Sequence, residues 1–165
     1  MDITKLSARY AVRALDEADA PAVYEFCKGH TQYYRYCGAQ PSLEQVKRDM
    51  TLLPEGVDPA QKHYMGFHDG GKLVAVMDMI EGYPDPSTCY IGFFMMRLDL
   101  QGAGIGTAII SEAADSLHSI GIKRLRLAIA KDNPQANRFW RKNGFNVVKE
   151  VDMGDWTALV ADRLL

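Results

Sequence analysis

The chain has 165 residues, 47% apolar and 24% charged, enough to bury a core without metal or disulfide staples and short enough to read as one domain over residues 1–165. No apolar run approaches the roughly 20 residues needed to cross a bilayer, which argues against a membrane partner. Nineteen basic against twenty-one acidic residues leave a net charge of -2, so there is no broad electrostatic footprint for nucleic acid.

The start, Met1-Asp2-Ile3-Thr4-Lys5, lacks the basic-then-apolar pattern of a secretory signal. Cys27, Cys37 and Cys89 are odd in number and contain no CxxC pair. Both features lead to the expectation of a cytoplasmic protein with free thiols. Tyr10 to Arg13 alternates as a short strand does, and Asp16 to Lys28 then places Ala20, Val23, Phe26 and Cys27 at helical spacing, with Gly29 at the end. After the aromatic stretch Tyr33-Tyr34-Arg35-Tyr36, Ser42 and Gln45 have capping-box spacing and predict a second helix to about Leu52.

Pro54, Gly56 and Pro59 make a loop, and Asp69-Gly70-Gly71 turns a hairpin between strands at 63–68 and 72–80. Thr88 to Met96 is nearly unbroken in its apolar character, as expected of a central strand buried on both faces. Gly104 to Ile120 is amphipathic and stopped by Gly121. Arg124 to Ala130 reads as a strand, Pro134 to Lys142 as a short helix, and 145–151 and 156–163 as closing strands. The sum is a mixed α/β (α+β) domain, a mostly antiparallel sheet interrupted by one strand, helix, strand crossover.

Gly102, Gly104 and Gly106 follow a buried strand and open a helix, so their N–H groups can approach an anion where the helix dipole favours negative charge. Two familiar phosphate motifs fail on spacing. A P-loop requires Gly-Lys-Ser/Thr, whereas Gly106 is followed directly by Thr107, and a dinucleotide G-x-G-x-x-G needs glycine or alanine at position 107. Downstream, Lys123, Arg124, Arg126, Lys131, Arg138, Arg141 and Lys142 crowd into one stretch that could rim an anionic cofactor.

Gln101-Gly102-Ala103-Gly104-Ile105-Gly106 resembles the Gln/Arg-x-x-Gly-x-Gly/Ala motif of the GNAT family of N-acetyltransferases. It follows Phe94 to Leu100 in the place of that family's cofactor-binding strand. Asn133-Pro134-Gln135-Ala136-Asn137-Arg138-Phe139-Trp140-Arg141-Lys142-Asn143-Gly144-Phe145 is similar to the family's Asn-x-x-Ala-x-x-Phe-Tyr-x-x-x-Gly-Phe segment. The resemblance implies an acyl-CoA N-acyltransferase fold with flanking helices and a splayed central strand pair, taking acetyl-CoA as acyl-donor cosubstrate. It implies that Met95 and Met96 pair through their main chain with the pantetheine arm and that Gln101, Gly102, Ala103, Gly104, Ile105, Gly106 and Thr107 hold the pyrophosphate. Asn133, Asn137 and Trp140 would complete the cofactor site. Tyr33, Tyr34 and Tyr36 would form an aromatic lid over the acceptor, and two copies could pair through their C-terminal strands into a homodimer.

The implied reaction is acetyl transfer to a primary amine of a small molecule or peptide, by direct attack through a tetrahedral intermediate. A lysine-like amine has a pKa of about 10.4, so deprotonation at pH 7 costs on the order of 4–5 kcal/mol and calls for a base. Asp78 is the first candidate, because Leu73 to Ile80 is otherwise apolar and a carboxylate there must be paired or functional. Glu81 is the second. A hairpin closing near Asp85 sets Asp78 roughly opposite Gly92. A strand N–H from Met95 or Met96 would bind the oxyanion, which makes Met96 a catalytic candidate.

Where the family often has a tyrosine to protonate the leaving sulfur, this chain has Trp140. An indole N–H donates a hydrogen bond but does not release its proton in a useful pH range, so Trp140 reads as a wall of the thioester site. That departure keeps open a non-catalytic acyl-CoA-binding or regulatory module of the same fold. His63 and His68 do not fit a metal constellation, and no third ligand is suitably spaced, so no metal is expected.

Overall fold

Glycine conformations set the first hairpin of the computed structural model, which describes residues 1–37 and 40–165. Gly70 and Gly71 have φ of 52° and 82°, a turn geometry open to glycine, and they join β2 (Lys62–Asp69) to β3 (Lys72–Glu81). β1 (Ala11–Ala14) flanks β2, and β4 (Thr88–Met96) lies antiparallel on β3. β5 (Arg124–Ala130) is parallel to β4, and β7 (Thr157–Leu164) inserts between β5 and β6 (Asn146–Asp152). The sheet order is β1-β2-β3-β4-β5-β7-β6.

Helices cover both faces. α4 (Ile105–Ser119) buries Ile109, Ile110, Ala113, Ala114 and Leu117, a stripe at helical spacing, and Gly121 (φ 96°) follows its end. These residues share a core with Met77, Met79, Met96, Leu125 and Leu127. α1 (Ala20–Lys28) and α3 (Leu43–Thr51) supply Val23, Cys27, Val46 and Met50 to a second core with Val76 and Met95. Successive residues of β3 and β4 thus serve opposite cores, as the two-residue period of a strand requires. α5 (Pro134–Lys142) starts with proline in its first turn behind an Asn133 cap.

β4 and β5 separate partway along. Their pairing runs only from Thr88–Arg124 to Ile91–Leu127. Beyond it β4 follows β3 to the Ala75–Met96 pair, while β5 follows β7 to the Ala130–Ala158 pair. The strand pair is therefore splayed, and a wedge opens at the C-terminal half of β4.

The structure departs from the sequence reading in three places. The Tyr33–Tyr36 stretch is helical, part of α2 (Thr31–Cys37), because nothing in it breaks a helix and its aromatic residues hide any polar face. The capping box of α3 is half formed: Ser42 Oγ accepts from the Gln45 N–H at 3.1 Å, while the Gln45 side chain turns to Asp49. Asp78 sits opposite Phe93, since a bulge leaves Gly92 without a partner on β3. A Cβ on Gly92 would lie 2.6 Å from Asp78 Oδ2, so the bulge and the missing side chain make room for the carboxylate.

Candidate active site

The glycine loop bends into α4 through left-handed backbone at Gly102 (φ 80°) and Gly104 (φ 81°). Gly104 caps α4 without any side-chain hydrogen bond, so the first-turn N–H groups carry no capping acceptor. A Cβ at Gly102 or Gly104 would meet nothing within 4 Å, which means that these glycines face open space and are required by backbone geometry. Gly106 differs: its Cβ would lie 3.3 Å from Met96 Cγ and from a Phe139 ring carbon, so it permits α4 to pack against β4 and α5. The loop closes one end of a 530 Å³ cavity that also takes in Phe94, Met95, Met96, Asn133 and Trp140. Such a cradle fits a pyrophosphate, which needs donors and the positive end of a helix dipole.

The edge of β4 supplies the cavity's long wall. The Arg97 N–H donates to Val74 O at 2.9 Å, so the 74–97 pair is hydrogen-bonded, and by alternation so are 76–95 and 78–93. Met95 therefore spends its main-chain groups on β3. Phe94, which the sequence reading did not single out, and Met96 turn theirs toward the wedge.

Gln101 acts through its side chain on the protein itself, donating to Met96 O at 3.2 Å and accepting from Gln135 Nε2 at 3.2 Å. Ala103 in the loop and Ile105 at the start of α4 do not line the cavity, whereas Thr107 does. Asn133 lines it while its side chain caps α5, accepting from the Ala136 N–H at 3.0 Å. Asn137 is a correction. Its amide donates to the carbonyls of Ala130, Lys131 and Asn133, so it braces the turn into α5 rather than facing the cavity.

Part of the expected basic rim is spent elsewhere. Arg126 is bidentate to Asp162 at 2.7 Å and Lys131 pairs with Glu150 at 2.7 Å, while Lys142 does line the cavity.

On the far side of Tyr33 lies a second cavity of 860 Å³, and Tyr33 lines both. Asp78 projects into this second cavity, and Lys62 Nζ donates to both of its carboxylate oxygens at 3.0 Å. Burial pushes the Asp78 carboxyl above its ordinary range, with Lys62 opposing and Asp49 adding to the rise. Tyr34 also lines this cavity, and its phenol is pushed up by burial. Tyr36 lines neither. Cys27 lies in the wall, and burial lifts its thiol to about 11, so it stays protonated at neutral pH and is a weak nucleophile.

Glu81 is a second correction. It stands three residues beyond Asp78 on the same strand, so its side chain leaves the opposite face, where it pairs with the Met1 ammonium at 2.5 Å and His63 Nε2 at 3.1 Å. Burial would raise it, but these two hydrogen bonds outweigh that and hold it low. It lines neither cavity.

Residues 22–145 match the model of the acetyltransferase (GNAT) family. The chain belongs to this family. An acetyltransferase from Thermus thermophilus is similar over 93% of this chain and 96% of its own, with 28% identity and a TM-score of 0.78. The PaiA N-acetyltransferase of Thermoplasma acidophilum, solved with coenzyme A, shares the fold at 16% identity and a TM-score of 0.67, over 93% of this chain and 98% of its own. Aminoglycoside acetyltransferase AAC(6')-Ib, solved with coenzyme A and kanamycin, shares it at 18% identity and a TM-score of 0.71, over 93% of each chain. A sequence comparison with curated proteins returned no match.

Membership of the GNAT acetyltransferases makes this chain an acyltransferase. Within that frame Trp140 is packed against Phe139, Phe145 and Phe94, with ring centroids 4.9, 5.0 and 6.0 Å away. This GNAT chain also carries two residues in its second cavity that motif reading did not single out, Lys62 and Asp49. Only their meeting with Asp78 across elements reveals them.

Proposed function

We propose that residues 1–165 form one cytoplasmic N-acetyltransferase domain that moves an acetyl group from acetyl-CoA to a primary amine of a small molecule or peptide by direct attack. The observation that carries this reading is the meeting of two cavities along β4, an anion cradle on one side and a buried carboxylate on the other, with Tyr33 between them.

Acetyl-CoA supplies the thioester. The N–H groups of Gly104, Gly106 and Thr107 would hold its pyrophosphate, and the main-chain edge at Phe94 and Met96 its pantetheine arm. Asp78 accepts the proton that the acceptor ammonium must lose, for which a carboxylate lifted above its ordinary range is better matched than an ordinary one. The Met96 N–H donates to the developing oxyanion. Trp140 and Phe94 exclude water from the thioester end. A covalent route through Cys27 is disfavoured because its thiol stays protonated.

Calorimetric titration with acetyl-CoA, followed by a screen of amines for acceptor-dependent release of free CoA, tests the reading. Absence of cofactor binding would sink it. The non-catalytic alternative, motivated by Trp140 in the acid position, predicts binding without acceptor-dependent release.

Gly104→Glu is expected to weaken cofactor binding relative to Gly104→Ala. Both strain the backbone at φ 81°, but only glutamate adds a charge against the pyrophosphate. A like charge near 4 Å costs about 1–4 kcal/mol between water-like and surface-like dielectrics, so the glutamate variant should bind about fivefold or more weakly than the alanine one. Equal affinities by calorimetry would remove the pyrophosphate from this loop.

A further inference from the structure

The second cavity has three charged groups in its wall, Asp49, Asp78 and Lys62, and its two carboxylates are not equivalent. Asp78 is held through both oxygens by Lys62. Asp49 has no ion pair among the described residues, and its side chain takes one hydrogen bond, from Gln45 Nε2 to Oδ1 at 2.5 Å. Gln45 in turn accepts from Arg48 Nη2, which fixes the direction of its amide and so the placement of the carboxylate. Arg48 itself is exposed, and among the described residues its side chain hydrogen-bonds to Gln45 alone.

α3 presents Ser42, Gln45, Val46 and Asp49 to the cavity at helical spacing. Asp49 lies in the last turn, where the helix carbonyls add partial negative charge. A half-buried carboxylate at that end has no ion pair among the described residues, and burial raises its carboxyl against the pull of Gln45, Arg48 and Lys62. With Lys62 committed to Asp78, the unbalanced charge of the cavity rests on Asp49. The same cavity wall includes Tyr34, Phe93, Leu53 and Ile80, a lining suited to methylene groups.

We propose that Asp49 is the specificity-determining carboxylate of this cavity, and that the acceptor is a small diamine, or an amine with a comparable second protonated group, which docks on Asp49 while its reacting nitrogen lies against Asp78. The assignment rests on the acetyl-transfer reading above. It also implies that acceptors bearing a carboxylate or phosphate in place of the second ammonium are rejected, because Asp49 would face them uncompensated.

The test is calorimetric titration of the full chain with 1,4-diaminobutane and with butylamine, for the wild type, Asp49→Asn and Asp49→Glu. A charge-assisted hydrogen bond contributes about 1.5–3 kcal/mol, so the diamine should bind the wild type about ten- to a hundredfold more tightly than the monoamine. Asp49→Asn should lower diamine affinity about tenfold or more beyond any fall in butylamine affinity, and Asp49→Glu should keep part of the preference. Equal affinities in the wild type, no measurable diamine binding, or an equal fall for both amines in Asp49→Asn would each overturn the assignment. Free CoA release on the same amines reads the parent hypothesis separately: tight, Asp49-dependent diamine binding without release would retain the carboxylate's role and remove the acetyl transfer.

Discussion

Asp78→Asn is expected to lower kcat/KM for amine acetylation by about 10²- to 10⁴-fold, the range over which a positioned general base contributes. The same change acts on stability, because Lys62 has a side chain only 6% exposed and bonds to both Asp78 oxygens. Asparagine leaves that ammonium without its counter-charge, and stripping one partner from a buried ion pair costs about 3–5 kcal/mol. Lys62→Met should be harmful for the mirror-image reason. The double variant Asp78→Asn with Lys62→Met removes both charges, so most of the stability should return while activity does not. Denaturant unfolding and steady-state kinetics on the four proteins separate the two effects. Full activity in the double variant would show that Asp78 serves only the fold.

The pH dependence follows from the direction of the shift. Burial raises the Asp78 carboxyl, more than Lys62 lowers it. A carboxylate whose folded pKa lies above its unfolded one contributes stability that is fully present below the unfolded value and is lost as pH rises through the folded value. Activity runs the other way, since Asp78 in its proposed role as base works only when ionised. The acid limb of kcat/KM should therefore lie above the ordinary carboxylate range, and that limb should vanish in Asp78→Asn.

Local chemistry made much of this architecture legible. The observed spans of β4, β5 and α5 coincide with those read from the sequence, because an apolar run bounded by turns, an alternating segment, and a proline behind an asparagine cap are signals carried within a few residues. The glycine loop is legible for the same reason: left-handed backbone and an uncapped helix start are local properties. What escaped depends on distant partners. The insertion of β7 between β5 and β6 is a choice among long-range pairings, and the bulge at Gly92 moves the partner of Asp78 by one residue. Lys62 and Asp49 come from the start of β2 and the end of α3, and nothing near either one in sequence announces the carboxylate it faces. Asn137 and Glu81 mark the opposite error, residues with suitable chemistry whose side chains the fold uses for bracing.

Trp140→Ala is expected to destabilise the fold by about 3–5 kcal/mol, the usual cost of truncating a large buried aromatic side chain. The residue is 9% exposed and touches Phe139 and Phe145 edge-on, at interplanar angles of 73° in both cases, so its removal empties the junction of α5, β4 and the start of β6. Phe94 and Phe139, stacked at 5.9 Å beside it, would lose the surface that holds them toward the wedge. Trp140→Phe keeps most of that packing and should cost far less. The pair also decides the role left open by the tryptophan at the acid position. If Trp140 is a wall, phenylalanine should leave kcat within a few-fold of the wild type, although phenylalanine has no hydrogen to donate. A collapse of kcat in Trp140→Phe at preserved stability would instead make the indole N–H a direct participant at the thioester, and the proton reaching the sulfur would have to be routed past it.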